Sequence, residues 1–228
     1  LSMAQTRISF KVIGVTKSGV INAYIETDFM GENYAMRLRH AYLEFMGIKV
    51  GKTWSTYMDD TNINTIDPQG PMSLSTRLLP LVSYSIKQAE KYKFTVALEF
   101  PQDVTITFPG GLIPSGDVEV HQALQSYPDI PVSLIYDNGP YHLFLGYNQR
   151  VMKFSELGKK FSPHYTFSAQ LSGSYAFETN GVMEHKIFLQ GIHTYGMADC
   201  IQDLGNIGYN AVISADLSRI ELIHNSAF

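Results

Sequence analysis

Residues 164–177, HYTFSAQLSGSYAF, alternate between two kinds of side chain. The apolar series has aromatic residues at both ends and consists of Tyr165, Phe167, Ala169, Leu171, Gly173, Tyr175 and Phe177. The intervening series carries only hydroxyl and amide groups, on Thr166, Ser168, Gln170, Ser172 and Ser174. Because successive side chains of a β-strand point to opposite faces, the pattern predicts a long strand with one apolar and one polar surface.

The same period of two recurs along most of the chain, whereas helical periodicity is almost absent. It is clearest in RISFKVI (7–13), INAYIETDF (21–29), KFTVALEF (93–100) and PYHLFLGYNQR (140–150). The pair Asn138-Gly139 predicts a hairpin turn before the last of these. About a dozen strand candidates follow, several of them longer than the usual ~5–6 residues. The fold class is therefore predicted to be all-β.

The connections between these strands differ in length. Tight turns are expected at 15–19, 30–34, 46–48 and 87–91, and long loops at 57–76 and 102–130. Short turns at one end and long loops at the other are typical of outer-membrane barrels. Since the chain shows no linker, low-complexity tract or internal repeat, we expect one domain over residues 1–228.

The solvent on each face decides between a membrane barrel and a soluble protein. A spanning strand needs ~9–11 residues with aromatics at both interfaces, which the spacing from Tyr165 to Tyr175 and Phe177 provides. The polar series is too hydrophilic for a dry core, so we predict that it lines a water-filled lumen. A large soluble β-sandwich, or a lipocalin-like binding barrel with an apolar interior, remains the alternative.

Composition and motifs narrow the functional classes. Charged residues make up 17% of the chain and the net charge is −4, so no basic field predicts a nucleic-acid partner. The single Cys200 excludes an intrachain disulfide, and the seven histidines lack metal-ligand spacing. No G-x-S-x-G elbow is present. We therefore predict that the protein is not an enzyme and that it has no cofactor and no metal. The alternative is an outer-membrane barrel enzyme such as a lipid hydrolase.

Residues 37–75 carry the most specific motif, RLRHAYLEFMGIKVGKTWSTYMDDTNINTIDPQGPMSLS. It resembles the DcaP-like outer-membrane porins, in which an RLRHAY strand, a G-[QK]-T-W-S-T-[FY]-M-D strand and a loop ending near GP follow one another. A looser match runs over residues 6–150. The resemblance implies a sixteen-stranded barrel of the bacterial outer membrane, surrounded by lipid and assembled as a homotrimer. It also implies passive uptake of small anionic solutes, dicarboxylates among them.

The same resemblance implies that residues 58–75 form a loop that folds into the barrel and narrows it. Sixteen strands with loops need well over 228 residues, so we expect about twelve strands here and a chain that is incomplete at both ends.

Strand parity, meaning whether a residue is at an odd or an even position along its strand, tells which face its side chain takes. It places five arginines on the polar side of their strands: Arg7, Arg37, Arg39, Arg77 and Arg150. We expect these pore-lining residues to face the loop carboxylates Asp59, Asp60 and Asp67, so that a field across the constriction favours anions. In the same reading Leu38, His40 and Tyr42 point toward lipid.

Strand parity does not decide the side of Lys52, because it groups this lysine with Val50 and Trp54. Either Lys52 and Trp54 face the lumen, or Trp54 faces lipid. We favour the lumen for Lys52, since a lysine in mid-membrane costs ~2–4 kcal/mol.

Overall fold

The structure is a computed structural model, and it describes residues 4, 6–59, 75–101, 104–108, 119–122, 127–153, 155–156, 159–160, 162–179, 183–205, 207–214 and 219–228. Antiparallel strands dominate these residues, which confirms the predicted fold class. No helix in the described part of the chain is long and apolar enough to cross a membrane.

The first ten strands are β1 (Arg7–Thr16), β2 (Gly19–Asp28), β3 (Arg37–Phe45), β4 (Ile48–Trp54), β5 (Leu78–Gln88), β6 (Tyr92–Glu99), β7 (Thr105–Phe108), β8 (Glu119–Gln122), β9 (Ile130–Asn138) and β10 (Tyr141–Met152). The remaining seven are β11 (Ser155–Glu156), β12 (Lys159–Lys160), β13 (His164–Thr179), β14 (Met183–Tyr195), β15 (Ala211–Ile213), β16 (Ile220–Leu222) and β17 (His224–Ala227). Three short 3-10 turns, Glu32–Tyr34, Ala198–Cys200 and Gln202–Leu204, lie in the connections.

Eleven strands form one continuous antiparallel sheet, the wall, in the order β1-β2-β3-β4-β5-β6-β9-β10-β13-β14-β17. Among the described residues the wall is open, with β1 and β17 at its edges. Tight turns join β1 to β2, β3 to β4, β5 to β6 and β9 to β10, all at the same end of the wall. We call this the turn end and the opposite end the loop end.

The predicted hairpin is present, but its turn lies one residue further along. Asn138 pairs with Tyr141 in the ladder, so the two turn residues are Gly139 and Pro140. Gly139 has a φ of 60°, and the proline ring fixes the next φ near about −65°, as a type II′ turn requires. The β2–β3 connection is longer than predicted, because β2 ends at Asp28 and β3 begins at Arg37.

The two faces of the wall differ in polarity, as the alternation along residues 164–177 predicts. Thr166, Ser168, Gln170 and Ser172 are buried on one face, whereas Tyr165 on the other is 73% exposed. The exposed residues of β5, β6 and β10 are also apolar, and include Val82, Tyr84, Ile86, Phe94, Val96, Leu98, Leu143 and Leu145. The apolar face is thus the outer surface of a membrane barrel, and the polar face is the inner surface.

Aromatic rings gather at both ends of the outer face. Near the turn end, the rings of Tyr141 and Tyr175 stack with centroids 5.0 Å apart. Near the loop end, Tyr147 stacks on Phe167 at 6.3 Å. Tyrosine at such positions fits a membrane–water interface, where the ring contacts lipid and the hydroxyl reaches water.

A smaller four-stranded sheet, β16-β15-β7-β8, packs inside the loop end of the wall. Its apolar side chains cluster with Met152 from the inner face of β10, and they are Val104, Ile106, Ala211, Ile213, Ile220 and Leu222. Asn210 ties the two halves together by donating to the carbonyl oxygen of Thr105 at 2.8 Å. The interior therefore holds a compact element as well as polar surface.

Candidate pore interior

Arg37 and Arg39 lie on the inner face, and their partners come from β2. The guanidinium of Arg37 donates to both oxygens of Asp28, at 3.0 and 2.7 Å. Arg39 donates to Glu26 at 2.9 Å and to Asp28 at 3.4 Å. Arg7 completes the group at 3.9 Å from Glu26. Such forked contacts are the geometry that guanidinium and carboxylate groups favour.

A β-bulge explains how Arg39 and its neighbour share the interior. The β2–β3 register shifts between Glu26 and Thr27, so Glu26 pairs with His40 while Thr27 pairs with Leu38. Arg39 is the extra residue of the bulge, and the residues that follow it point to the opposite face from the one that simple alternation predicts. His40 is consequently 7% exposed, with its Nδ1 3.0 Å from the Thr53 hydroxyl. The prediction that His40 and Tyr42 face lipid is wrong, because simple parity does not hold across the bulge.

Trp54 lies inside the barrel. The guanidinium carbon of Arg39 is 5.5 Å from the centre of the indole ring, and the His40 ring meets the indole edge-on at 5.6 Å. In the β4–β5 ladder Val50 pairs with the exposed Val82, Lys52 with Pro80 and Trp54 with Leu78, so Lys52 shares its register face with both Val50 and Trp54. The register therefore does not choose a side for Lys52, and its lumen position stays a prediction.

Arg77 and Arg150 form a second, buried group. Arg150 is fully buried and donates two hydrogen bonds to Asp129, both at 2.8 Å, and two to Asp199, at 2.7 and 2.8 Å. Arg77 lies 3.1 Å from Asp129 and 3.5 Å from Asp199. We call these four residues the arginine–aspartate network. It joins β10 to the start of β9, to the entry of β5 and to the 3-10 turn Ala198–Cys200.

The surroundings of the 3-10 turn Ala198–Cys200 shift the pKa values of two of its side chains, Asp199 and Cys200. Burial alone would raise the pKa of Asp199, but the guanidinium groups of Arg150 and Arg77 outweigh it and hold the pKa at about 2. Burial raises the pKa of the neighbouring Cys200 thiol to about 11, although Arg77, whose Nη1 is 3.3 Å from the sulfur, acts in the opposite sense. Asp199 is therefore charged and Cys200 is an uncharged thiol at neutral pH.

Tyr57, just before the predicted constriction loop 58–75, and Asp59 within that loop lie across the interior. Tyr57 is fully buried against Gly146, where an added Cβ would come within 3.1 Å of the ring. Its hydroxyl lies 2.7 Å from that of Ser168. Asp59 accepts a hydrogen bond from the Ser172 hydroxyl, and its carboxylate lies 3.1 Å from Nε2 of His142.

Residues 57–59 thus contact β10 and β13, on the far side of the interior from β4. The rest of the loop, with Asp60 and Asp67, lies outside the described residues, so its inward fold stays a prediction. The described partners of the arginines are not the predicted loop carboxylates but Glu26, Asp28, Asp129 and Asp199.

Two polar cavities lie between the described residues of the inner face. A loop-side cavity of about 520 Å³ is lined by Arg37, Arg39, Trp54, Arg77, Asp199 and Gln202 among others. A turn-side cavity of about 440 Å³ is lined by Glu26, His40, Lys49, Trp54, Ser83, Lys93 and Thr95 among others. Trp54 contributes to both walls, so the two cavities adjoin at the bulge. They can hold hydrated solutes and small ions.

Ser172, Asp59 and His142 do not form a nucleophile–base pair. Asp59 lies between Ser172 and His142 and accepts the serine hydrogen bond itself, so the imidazole is not placed to activate that hydroxyl. Among the described residues, no group of three or more histidine, cysteine or carboxylate side chains could hold a metal ion.

Comparison with solved structures places the fold. The chain superposes on the outer membrane channel DcaP of Acinetobacter baumannii with a TM-score of 0.74 and 19% identity, over 98% of this chain and 60% of that one. The chain has the fold of a DcaP-type outer-membrane β-barrel. It spans 60% of the length of that channel. The resemblance predicted from residues 35–75 is thus confirmed at the level of fold.

Two structures of OmpT, an outer membrane protein of Vibrio cholerae, overlap less well. The loop L8 deletion mutant gives a TM-score of 0.46 at 13% identity, over 83% of this chain and 74% of that one. The in-vitro folded trimer form gives 0.40 at 14% identity, over 83% and 73%. No protein-family model matches the chain, and no curated protein matches it.

Sequence reasoning missed the acids of this barrel's interior. Asp129 and Asp199 come from connections, where no strand parity applies, and their partner Arg150 is 21 and 49 residues away in the chain. Glu26 and Asp28 do lie on the polar face of β2, and pairing β2 with β3 as consecutive strands would have found them.

Proposed function

We propose that the protein is an outer-membrane diffusion channel for small hydrophilic solutes. The observation that carries the proposal is the pair of adjoining polar cavities on the inner face of a wall whose outer face is apolar. Such a passage selects by size and by field, and performs no bond chemistry. The DcaP fold, whose solved representative is a channel, supports the same assignment.

Within this function we propose a preference for anions, dicarboxylates among them. Three cations, Arg7, Arg37 and Arg39, meet two acids at the loop-side mouth, and the Arg37 side chain is 43% exposed. Guanidinium groups bind carboxylates through paired hydrogen bonds. The exposed Arg37 can therefore bind the carboxylate of a solute that enters the channel. Dicarboxylates and a homotrimeric assembly in the outer membrane rest on the family resemblance of residues 35–75.

Solute uptake into proteoliposomes tests this function. Vesicles with the full-length protein are diluted into isotonic solutions of small solutes of matched size that differ in charge. We expect swelling to be faster than in empty vesicles, and faster with anions than with cations. Swelling no faster than in empty vesicles would contradict the channel function, and equal rates for both charges would contradict the anion preference alone.

A further inference from the structure

The turn-side cavity has an aromatic wall on β2 and β3. Tyr24 and Tyr42 pair in the ladder, and their ring centroids are 5.6 Å apart. The His40 ring lies 6.1 Å from that of Tyr24, and the indole of Trp54 follows at 5.6 Å from His40. All four rings line the cavity. The aromatic wall therefore runs from the boundary with the loop-side cavity, at Trp54, toward the turn end.

The wall of the same cavity on β5, β6 and β9 carries a row of hydroxyl groups. Ser85 pairs with Thr95 and Thr95 pairs with Ser133, so the three residues lie side by side across these strands. Ser85 and Thr95 share a hydrogen bond of 2.9 Å. Ser83 and Ser133 are buried and line the cavity, and neither hydroxyl has a hydrogen-bond partner among the described residues. A polar solute can use these two hydroxyls as donors and as acceptors.

The ionised side chains of the cavity already have partners. Apart from His40, the lining residues that can carry charge are Glu26, Lys49 and Lys93. Glu26 accepts hydrogen bonds from the Tyr24 hydroxyl at 2.6 Å and from Arg39 at 2.9 Å. The Lys49 ammonium is 3.6 Å from the Glu44 carboxylate and 5.0 Å from the centre of the Tyr42 ring. Lys93 has an interaction of its own. Because an ion gains little from groups that are already paired, the cavity suits an uncharged polar solute.

An aromatic wall next to unpaired hydroxyls matches the chemistry of a sugar. A sugar ring carries apolar C–H groups on its faces and hydroxyl groups on its rim. The C–H groups pack against aromatic rings, and the hydroxyls exchange hydrogen bonds with serine. Tyr24 and Tyr42 are half-buried, so part of each ring contacts the cavity. The cavity volume of about 440 Å³ lies within the range of about 300–1,000 Å³ that is typical of small-molecule sites.

We propose that the turn-side cavity is a binding subsite for neutral carbohydrate. Tyr24 and Tyr42 contact the sugar ring, and Ser83 and Ser133 bind its hydroxyls. The proposal rests on the channel function and extends it, because it adds an uncharged class of solute to the anions that Arg37 favours at the loop-side mouth.

Trp54 gives a direct measurement of binding, because it lines the cavity and is the one tryptophan among the 228 residues. Glucose is titrated into the full-length protein in detergent while the fluorescence is recorded, and Trp54→Phe supplies the background. We expect a saturable change that Trp54→Phe abolishes. Sorbitol carries hydroxyl groups but no ring, so its half-saturating concentration should be higher by about fivefold or more. In a planar bilayer, glucose should also reduce the potassium chloride current in a saturable way.

Substitutions on each wall test the assigned contacts. Tyr24→Leu with Tyr42→Leu removes both rings and should raise the half-saturating glucose concentration by about fivefold or more. Phenylalanine at both positions keeps the rings and should change this concentration by less than about twofold. Ser83→Ala with Ser133→Ala should raise it by about threefold or more. Tyr84→Leu removes a tyrosine from the outer face, where the residue is 46% exposed, and should leave it unchanged.

The outcomes separate the subsite from the channel function. A fluorescence response to glucose in a protein that carries no current overturns the channel function and supports the subsite. A conducting wild type in which glucose changes neither the current nor the fluorescence overturns the subsite alone. An equal affinity for sorbitol, or an equal effect of Tyr84→Leu, also contradicts it. If the leucine pair does not fold, the serine pair tests the same subsite, and an unchanged half-saturating concentration contradicts the proposal.

Discussion

At the scale of single residues, Arg37 and Arg39 neutralise acids as well as present positive charge. Replacing both with glutamine would leave Asp28 without its arginine partners and Glu26 with Arg7 alone, 3.9 Å away. We expect the chloride-to-potassium permeability ratio of this double variant to fall by about twofold or more. Reversal potentials measure it, and an unchanged ratio would show that these arginines are purely structural.

Cys200 gives a residue-scale test of how tightly the interior is packed. With a pKa of about 11, about one thiol in a thousand is thiolate at pH 8, and the sulfur is also fully buried. We therefore expect a maleimide to label the folded protein slowly at pH 8 and the denatured protein quickly. Equally rapid labelling of both would mean that the Ala198–Cys200 turn is not seated in the barrel.

At the scale of elements, Asp199 anchors the connection between β14 and β17. Because its pKa is about 2 and the ordinary value is 3.8, its stabilising effect is present above that ordinary value and is lost as the pH falls toward 2. Asp199→Asn leaves Arg150 short of one buried charge partner, which costs about 3–5 kcal/mol. We expect a lower unfolding temperature at pH 7, measured by heat-modified migration on gels.

Arg219 provides the matched control for this loss. Its guanidinium is 2.7 Å from Glu221, but both side chains are largely exposed, so Arg219→Gln should change stability by less than about 1 kcal/mol. Similar unfolding temperatures for Asp199→Asn and Arg219→Gln would contradict the anchoring role of Asp199.

The elements themselves were largely predictable from the sequence. Alternation along 164–177 gave both the strand β13 and its two faces, because a strand between lipid and a polar interior must alternate without interruption. Short turns were also local enough to predict, as Met46-Gly47 shows with φ values of 50° and 81°. Register within such hairpins follows from the turn.

The interior was less predictable, because its contacts are not local. The bulge at Arg39 appears only when β2 is laid beside β3, and it reversed the side assigned to His40. Arg150 was assigned to the inner face from its own strand, yet Asp199 reaches it from a connection with no strand pattern. Strand parity carries no information on what packs inside a barrel.

At the scale of the whole molecule, the outer face determines how the protein behaves in solution. Strands β5, β6, β10 and β13 present continuous rows of exposed apolar side chains, far beyond what a soluble monomer exposes. We expect the folded protein to require detergent or lipid, as shown by sedimentation with and without detergent. A monodisperse, detergent-free monomer would contradict the membrane assignment.

The most direct test of the central claim is the current through the full-length, wild-type protein in a planar lipid bilayer under a salt gradient. The account predicts discrete conductance steps and a reversal potential displaced toward the equilibrium potential of the anion. The absence of steps would contradict the channel, and a displacement toward the cation would contradict the field assigned to its interior.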